Sequence, residues 1–135
     1  MTEKFNLQWN EFTDNLSSVF KDLRSQDDFS DITLISEEGD FHSAHKVLLS
    51  ASSTFFKSIL TKMKAGNNYL YLKGVSRSDM SLILDFIYKG EANVYQEHLD
   101  SFMGTANLLQ LKGMSDDKTG LSSHPQHRWW EHNTG

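Results

Sequence analysis

The 135-residue chain is predicted to fold as an α+β domain in which a cluster of helices is flanked by short strands. Several stretches carry apolar residues at helical spacing, whereas the stretches that alternate apolar and polar residues are only a few residues long. Polar or Gly-containing turns separate these stretches, and the sequence has no internal repeat. Helices and short strands that follow one another in mixed order are typical of an α+β chain.

The first segment, FNLQWN, alternates Phe5, Leu7 and Trp9 with polar residues, which is the pattern of a half-buried strand. This predicted strand, residues 5–9, has no hairpin partner nearby. Burying each of these side chains would contribute ~1.5–3 kcal/mol as an upper range, whereas leaving them in water would expose an aggregation-prone edge. The segment therefore favours burial, and self-association is one natural way to achieve it.

A helix is predicted from Glu11 to Arg24, because apolar residues recur there as one stripe. The stripe comprises Phe12, Leu16, Val19, Phe20 and Leu23. Since the predicted strand comes directly before this helix, apolar surface is concentrated at the start of the sequence.

The middle of the chain predicts a β-hairpin followed by two short helices. The stretch DITLI at 31–35 is β-branched and alternating, SEEGD supplies a turn, and FHS at 41–43 begins the return strand. From Ala44 the pattern becomes helical, with a break near Ser52–Ser53. The apolar residues of these helices, including neighbouring Phe residues, are interpreted as core.

The pattern then predicts a short strand at 69–72 (YLYL) and a helix that Ser76 begins as the N-cap, with Asp79 in the capping-box position. Gly90 follows the last apolar residues of this helix, in the position that favours its end. EANVY at 91–95 is interpreted as another short strand.

The last helix is predicted to carry apolar residues from Leu99 to Leu111 and to stop at Gly113. The sequence after it is polar and Gly/Ser-rich, so residues 1–115 are interpreted as the domain and residues 116–135 as a tail or linker. Trp129 and Trp130 are unusual in such a setting. They are either a docking motif or residues added to the natural chain.

Charge and composition exclude several classes of function. The chain has 13 Lys and Arg against 18 Asp and Glu, a formal net charge of -5, and no basic run, which disfavours direct binding to a phosphate backbone. No apolar stretch approaches the ~20 residues that span a bilayer, and the start of the sequence lacks the apolar region of a signal peptide. The chain has no Cys, so disulfides and Cys-based zinc sites are excluded.

The sequence predicts neither an enzyme nor a cofactor or metal site. His42 and His45 straddle a predicted strand–helix junction and have no third ligand nearby, and the His residues of the tail are at most weak metal ligands. These tail residues are His124, His127 and His132. The motifs GxSxG, GxxxxGK[ST] and GxGxxG, which serve nucleophilic catalysis and nucleotide binding, do not occur.

Asp31 and Lys46 are charged residues beside core segments. Charges in such positions are often paired or line a shallow pocket. The other interpretation is a solvated ion pair worth ~0–1 kcal/mol. The residues alone leave both interpretations open.

The stretch FHSAHKVLLSASSTFFKSIL resembles a BTB/POZ domain, and DDFSDITLI before it resembles the first core strand of that family. ILDFIYKGEANVYQEHLDSFMGTANLLQLKGM resembles its C-terminal part, so the likeness covers about residues 3–115. FNLQWN, YKGEANV and LLQLKG are most similar to the tramtrack-type subgroup, which occurs in arthropod transcription factors and chromatin-architecture proteins.

The resemblance implies a BTB/POZ fold and a homodimer in which the N-terminal strand is exchanged between subunits. Residues 5–9 would pair with Glu91–Val94 of the other subunit, and helix 11–24 would pack against its symmetry mate. The interface residues implied are Phe5, Leu7, Trp9, Phe12, Leu16, Val19, Phe20, Glu91, Asn93 and Val94. Asp31 and Lys46 match the charged-pocket positions, which the family associates with dimer integrity and partner recruitment.

The function implied is an oligomerisation module of a nuclear transcription regulator or chromatin-architecture protein. Its expected partners are further copies of itself, in dimers and in higher assemblies that are often hexamers, together with related BTB domains and transcriptional cofactors. Neither nucleic acid nor membrane is expected to bind this segment directly. The alternative is a substrate adaptor of a cullin-3 ubiquitin ligase. Such adaptors usually carry a hydrophobic-x-Glu signature after the second hairpin helix, where this chain reads ILTKMKAGNNYLYL without a Glu.

Overall fold

A computed structural model describes residues 2–114, which form five helices and a three-stranded sheet. In chain order the elements are α1 (Phe12–Ser25), β1 (Ile32–Ile35), β2 (Phe41–Ala44), α2 (Lys46–Ser52), α3 (Thr54–Lys62), β3 (Tyr69–Tyr71), α4 (Arg77–Lys89) and α5 (Gln96–Leu108). The predicted α+β class is therefore confirmed. The features predicted for residues 116–135, including Trp129 and Trp130, lie outside the described residues.

The sheet has the strand order β2-β1-β3. β1 and β2 form the predicted antiparallel hairpin, in which Ile35 pairs with Phe41 and Gly39 takes a positive φ of 93° in the turn. β3 pairs with β1 in parallel, which requires a crossover, and α2 and α3 supply it. Because side chains alternate along a strand, Ile32 and Leu34 enter the core, whereas Thr33 and Ile35 face outward.

One hydrophobic core lies between the inner face of the sheet and the helices. β1, β2 and the helices α2 to α5 contribute buried residues to it, and α4 and α5 contribute the most. Its largest fully buried side chains are Phe56, Phe102, Leu34, Leu49, Met80, Ile83 and Leu84. Of the neighbouring Phe residues interpreted as core, Phe56 is buried and Phe55 packs against the core from its edge; on α4, Tyr88 is buried and Phe86 packs at the edge.

Helix α4 begins and ends where the sequence predicts. The Ser76 side chain accepts the Asp79 backbone N–H at 3.1 Å, and Gly90 ends the helix at a φ of 81°, with its N–H donating to the Phe86 carbonyl. The buried Asp79 carboxylate extends to α5, where it accepts hydrogen bonds from the Ser101 and Thr105 hydroxyls. A residue predicted as part of a cap therefore also joins two helices.

The end predicted for the last helix is wrong: α5 ends at Leu108. Leu109 and Leu111 are both buried, although they lie two positions apart, a spacing that would place them on different sides of a helix. The chain therefore leaves the helical conformation before Leu111. Gln110 takes a positive φ of 53°, and Leu111 forms an isolated β-bridge with Ser53. The apolar spacing that indicated a helix thus belongs partly to an extended stretch.

The strands predicted at 5–9 and 91–95 are absent from the single chain described over residues 2–114. Alternation predicts which side chains share a face, but a strand also needs a neighbour for its backbone N–H and C=O groups. Among the described residues, no backbone–backbone hydrogen bond involves residues 3–8 or 91–94. Both segments therefore present unpaired backbone.

A substitution at Ser53 tests the contact that joins the start of α3 to the chain after α5. Its hydroxyl accepts the Phe56 N–H at 2.9 Å and donates to the Leu109 carbonyl at 2.5 Å, and the residue is fully buried. We expect Ser53→Ala to lower the free energy of unfolding by about 1–3 kcal/mol, because it removes the cap and leaves a buried carbonyl unpaired. Urea unfolding measures this loss.

The matched control is Ser78→Ala, which removes the hydroxyl of an exposed residue in the first turn of α4. We expect this control to change the unfolding free energy by less than about 0.5 kcal/mol. Equal losses in the two variants would contradict the attachment assigned to Ser53.

Candidate functional site

The apolar side chains at the start of the described chain lie in solvent. Phe5 is 76% exposed, Leu7 90% and Trp9 59%. Single exposed apolar residues are normal on a protein surface. Here three large apolar side chains at alternate positions, called the N-terminal row below, are exposed together. This N-terminal row therefore needs a cover that the described residues do not supply.

A tight turn connects the N-terminal row to helix α1. Glu11, the residue before the helix, has a left-handed φ of 62°, and the Phe12 N–H donates to the Trp9 carbonyl at 3.2 Å. The Trp9 and Phe12 rings consequently meet edge to face, with their centroids 5.2 Å apart. The row and the first turn of the helix thus form one continuous apolar surface.

Helix α1 is amphipathic, yet none of its residues is buried. Phe20 and Leu23, near its C-terminal end, pack against the core, whereas Phe12 and Val19 remain 50% and 48% exposed. Leu16 is half-buried. A helix with such a stripe normally buries it, so the exposed part indicates a further contact surface.

A polar contact fixes α1 against α4. The Arg24 Nε lies 3.0 Å from the Asp85 Oδ1, and the Arg24 Nη2 donates to the carbonyl and hydroxyl oxygens of Ser81. The side chains of this pair are about three-quarters buried, so the pair holds the C-terminal end of α1 in place. The exposed stripe is therefore presented by a positioned helix.

An apolar groove of about 400 Å³ lies between α1 and the last turn of α4. Its lining includes Phe12, Leu16 and Phe20 from one helix and Ile87 to Gly90 from the other. The structure thus brings three of the predicted interface residues to the end of α4, where the segment 91–94 begins.

The segment 91–94 presents its backbone rather than its side chains. Glu91 and Asn93 are exposed, whereas the Val94 side chain lies in the core. Val94, predicted from the resemblance as an interface residue, can therefore offer a partner only its main chain. A partner strand would form hydrogen bonds to the backbone of this segment. Gly90 holds one end of the segment in place, and the contact of Val94 with the core holds the other.

Asp31 and Lys46 meet through the backbone. The Asp31 Oδ1 accepts the Lys46 backbone N–H at 2.7 Å, at the first residue of α2. The Lys46 ammonium and the Asp31 carboxylate do not form an ion pair. Asp31 acts instead as a cap from the neighbouring strand end, and the charged pocket formed with Lys46 stays a prediction.

The buried His45 is fully occupied by hydrogen bonds. Its Nε2 lies 2.8 Å from the Asp28 carbonyl, an acceptor, so this nitrogen carries the proton. The Tyr88 hydroxyl accepts the His45 backbone N–H and donates to Nδ1, both at 2.8 Å. Sequence reasoning missed this link between α4 and the start of α2, because a lone His and Tyr carry no spacing signal.

The neighbouring His42 lies on β2, where it pairs with Leu34 across the hairpin. Burial lowers the pKa of its imidazole below the usual value of 6.5. Within residues 2–114, no group of three or more His, Asp or Glu is placed to hold a metal ion. None of the helices described is long and apolar enough to cross a membrane.

The model of the BTB/POZ domain family matches residues 20–121. The chain therefore belongs to the BTB/POZ family, as the sequence resemblance predicts. The BTB domain of zebrafish PATZ1 has the same fold, with a TM-score of 0.73 at 22% identity, over 88% of this chain and 98% of that one.

Curated relatives from Drosophila melanogaster agree with the predicted subgroup. "Protein tramtrack, alpha isoform" is 40% identical over 120 residues, covering 87% of this chain and 15% of its own length. "Protein abrupt" is 39% identical over 118 residues, 13% of its length. "Longitudinals lacking protein-like" is 39% identical over 119 residues, which span 88% of this chain and 93% of that protein. The same domain thus occurs both as nearly a whole protein and as a small part of long ones.

Two substitutions of Asp31 separate its role as a hydrogen-bond acceptor from the effect of its charge. We expect Asp31→Ala to lower the free energy of unfolding by about 0.5–2 kcal/mol, because the first N–H of α2 loses its acceptor. Asp31→Asn keeps an acceptor oxygen and should lose only the charge–dipole part, about 0.3–1 kcal/mol. Urea unfolding of both variants tests this order, and equal losses would contradict a cap.

The buried Tyr88 phenol is expected to make the stability of the fold depend on pH in the alkaline range. Burial raises the pKa of its phenol to about 12, above the ~10 of an unfolded chain. Its contribution to stability is fully present below pH ~10 and is lost as the pH rises toward 12, because the unfolded chain releases this proton first. We expect stability to fall more steeply between pH 10 and 12 in the wild type than in Tyr88→Phe.

Thermal unfolding across this pH range measures the two slopes. Tyr95→Phe, which changes a tyrosine that is 78% exposed, is the matched control and should follow the wild type. Parallel slopes for the wild type and Tyr88→Phe would contradict the assignment.

Proposed function

We propose that residues 2–114 form an oligomerisation module that pairs with a second copy through the N-terminal row and the exposed stripe of α1. The observation that carries this proposal is an amphipathic helix without a buried residue, continuous with three exposed apolar side chains. A second copy offers the same surface, so the contact is two-fold and self-complementary.

In this pairing, residues 5–9 form a strand against Glu91–Val94 of the other subunit. Each segment carries unpaired backbone groups, and the receiving segment follows directly after the groove beside α1. Strand addition satisfies these groups and gives Phe5, Leu7 and Trp9 a face to cover. The alternation of the N-terminal row supports this arrangement.

The free energy of apolar burial favours an interface that includes both the N-terminal row and the exposed stripe of α1. Burying Phe5, Leu7 and Trp9 contributes ~1.5–3 kcal/mol per side chain as an upper range, in each of two copies. Association costs ~4–15 kcal/mol in lost translational and rotational freedom, before side chains are ordered. Because these two ranges overlap, the N-terminal row alone leaves little or no surplus, and we expect α1 to supply the rest.

We further propose that the module serves a nuclear transcription regulator or chromatin-architecture protein, and that it also forms higher assemblies, including hexamers, and pairs with related BTB domains and transcriptional cofactors. The similarity to "Protein tramtrack, alpha isoform" supports this role. Linking several arms that each bind weakly to DNA or to a partner raises avidity without new contacts. The net charge of -5 supports assignment of the DNA contact to other parts of such a protein.

Light scattering coupled to size-exclusion chromatography tests the proposal across a concentration series. A dimer or a larger assembly at micromolar concentration is the expected result. A strict monomer would contradict it.

The N-terminal row can be tested with a variant that removes one side chain. We expect Trp9→Ala to weaken association by at least ~30-fold, because truncating a central interface Trp typically costs 2 kcal/mol or more. Deletion of residues 1–10 should weaken it further, because the whole strand is lost. Analytical ultracentrifugation gives the dissociation constants.

Deletion of residues 1–4 is the control, because it shortens the chain while leaving Phe5 and the rest of the row. This control should associate like the wild type. An unchanged mass and melting temperature in Trp9→Ala and in the ten-residue deletion would refute the role of the row.

A further inference from the structure

The adjacent residues Trp129 and Trp130 play no part in the proposed function and lie outside the described residues, in the tail 116–135. The similarity to "Longitudinals lacking protein, isoforms A/B/D/L" from Drosophila melanogaster covers 98% of this chain at 35% identity, so it extends through most of this tail. That range favours a natural segment over residues added to the chain. Two adjacent indole rings in a polar segment are typical of a docking motif.

The outward face of the sheet presents an open aromatic surface. In the register of the sheet, Phe41 and Tyr71 flank Ile35, and Tyr69 lies beside Thr33. The Phe41 and Tyr69 rings approach each other across β1, with their centroids 6.0 Å apart. Phe41, Tyr69 and Tyr71, which are 67%, 61% and 52% exposed, are together called the aromatic sheet face below.

The area of the aromatic sheet face limits what can bind it. At ~200 Å² per aromatic side chain, the exposed fractions leave roughly 360 Å² of aromatic surface. A stable complex with a separate protein buries about 800 Å² on each partner, so this face is too small to hold one on its own. Two indole rings carry roughly 400–500 Å², which is comparable with the area of the face, and aromatic rings pack favourably against one another.

The tail starts from a fixed point and is long enough to reach the sheet. Met114 packs against the core, and the Lys112 N–H donates to the Ser52 carbonyl at 2.8 Å. About 15 residues join Met114 to Trp129, and they span up to ~50 Å when extended. A domain of this size has a radius of gyration of ~13 Å, so this length reaches any of its faces. The covalent connection gives the tail a local concentration of roughly millimolar, so a small contact is sufficient.

The charges beside the aromatic sheet face are complementary to the residue that precedes the two Trp residues. The turn that ends at Phe41 carries Glu37 and Glu38, neither of which forms an ion pair within residues 2–114. Both carboxylates accept backbone N–H groups, at 2.6 and 2.7 Å, and are thereby held beside the face. Arg128 directly precedes Trp129, and a guanidinium both attracts carboxylates and stacks on aromatic rings.

We propose that Trp129 and Trp130 bind the aromatic sheet face of the same chain, with Arg128 beside the acidic turn. Because the face is then occupied from within the chain, any other molecule that binds there has to displace the tail. The contact does not involve the N-terminal row, so it goes beyond the proposed function and is tested independently of it.

The test replaces both Trp129 and Trp130 by Ser in the full chain and compares hydroxyl-radical modification, residue by residue, with the wild type. We expect modification of the aromatic sheet face to rise severalfold, because its rings lose their cover. Tyr95, which is 78% exposed, is the internal reference and should not change. Leu121→Ser removes an apolar side chain from the same tail and is the matched control, which should react like the wild type.

The reciprocal variant replaces the three residues of the aromatic sheet face by Thr, which keeps a high strand propensity and removes the rings. Modification of Trp129 and Trp130 should then rise by a similar factor. Trp9, which belongs to the N-terminal row, should react as it does in the wild type.

Three results would overturn the proposal. Equal modification of the aromatic sheet face in the wild type and in the double Trp variant shows that the tail does not cover it. An equal rise in Leu121→Ser shows that the Trp residues do not make the contact, and protection that grows with protein concentration assigns the face to a second copy. Each of these results leaves the proposed function intact, whereas a strict monomer in light scattering overturns the proposed function alone.

Discussion

Two backbone segments that find no partner among residues 2–114 place the main constraint on this molecule. Residues 3–8 and 91–94 take part in no backbone–backbone hydrogen bond among the described residues. Backbone groups in that state are satisfied by water or by another strand, and only the second option also buries Phe5, Leu7 and Trp9. The proposed function follows from this coupling of backbone pairing to apolar burial.

The rest of the fold holds these segments where a partner can reach them. Ser76 and Gly90 set the ends of α4, so the segment 91–94 starts at a defined point beside the groove. The Arg24–Asp85 pair fixes α1 across the same helix. Beneath them, the Tyr88 hydroxyl joins α4 to the start of α2 through His45. The exposed surface therefore rests on contacts that are formed within one chain.

Local signals explain why much of the fold could be predicted from the sequence. The hairpin turn around Gly39, the break at Ser53 and both ends of α4 are set by residues a few positions apart, whose chemistry is visible in the sequence. The candidate surface was predicted in the same way, because alternation places Phe5, Leu7 and Trp9 on one face. What this pattern cannot contain is the identity of the neighbouring strand.

The features that the sequence did not predict depend on residues far apart along the chain. Asp79 bonds to Ser101 and Thr105 across two helices, and Asp31 caps a helix that begins 15 residues later. Leu111 looked helical by its spacing, yet its burial beside Ser53 required an extended chain. Each of these cases is a tertiary contact that overrode, or added to, a local preference.

Site-directed disulfide formation tests the exchange of the N-terminal strand most directly, because the natural chain has no Cys that could interfere. One chain carries Leu7→Cys and another carries Ala92→Cys or Asn93→Cys, so that only contacts between chains can cross-link the mixture. We predict a disulfide-linked pair, because β-paired residues bring their Cβ atoms within ~5.5 Å, and no link when Leu7→Cys is mixed with Asp100→Cys on α5. Failure to cross-link, or equal cross-linking of Leu7→Cys with the Asp100→Cys chain, would contradict the exchange of this strand.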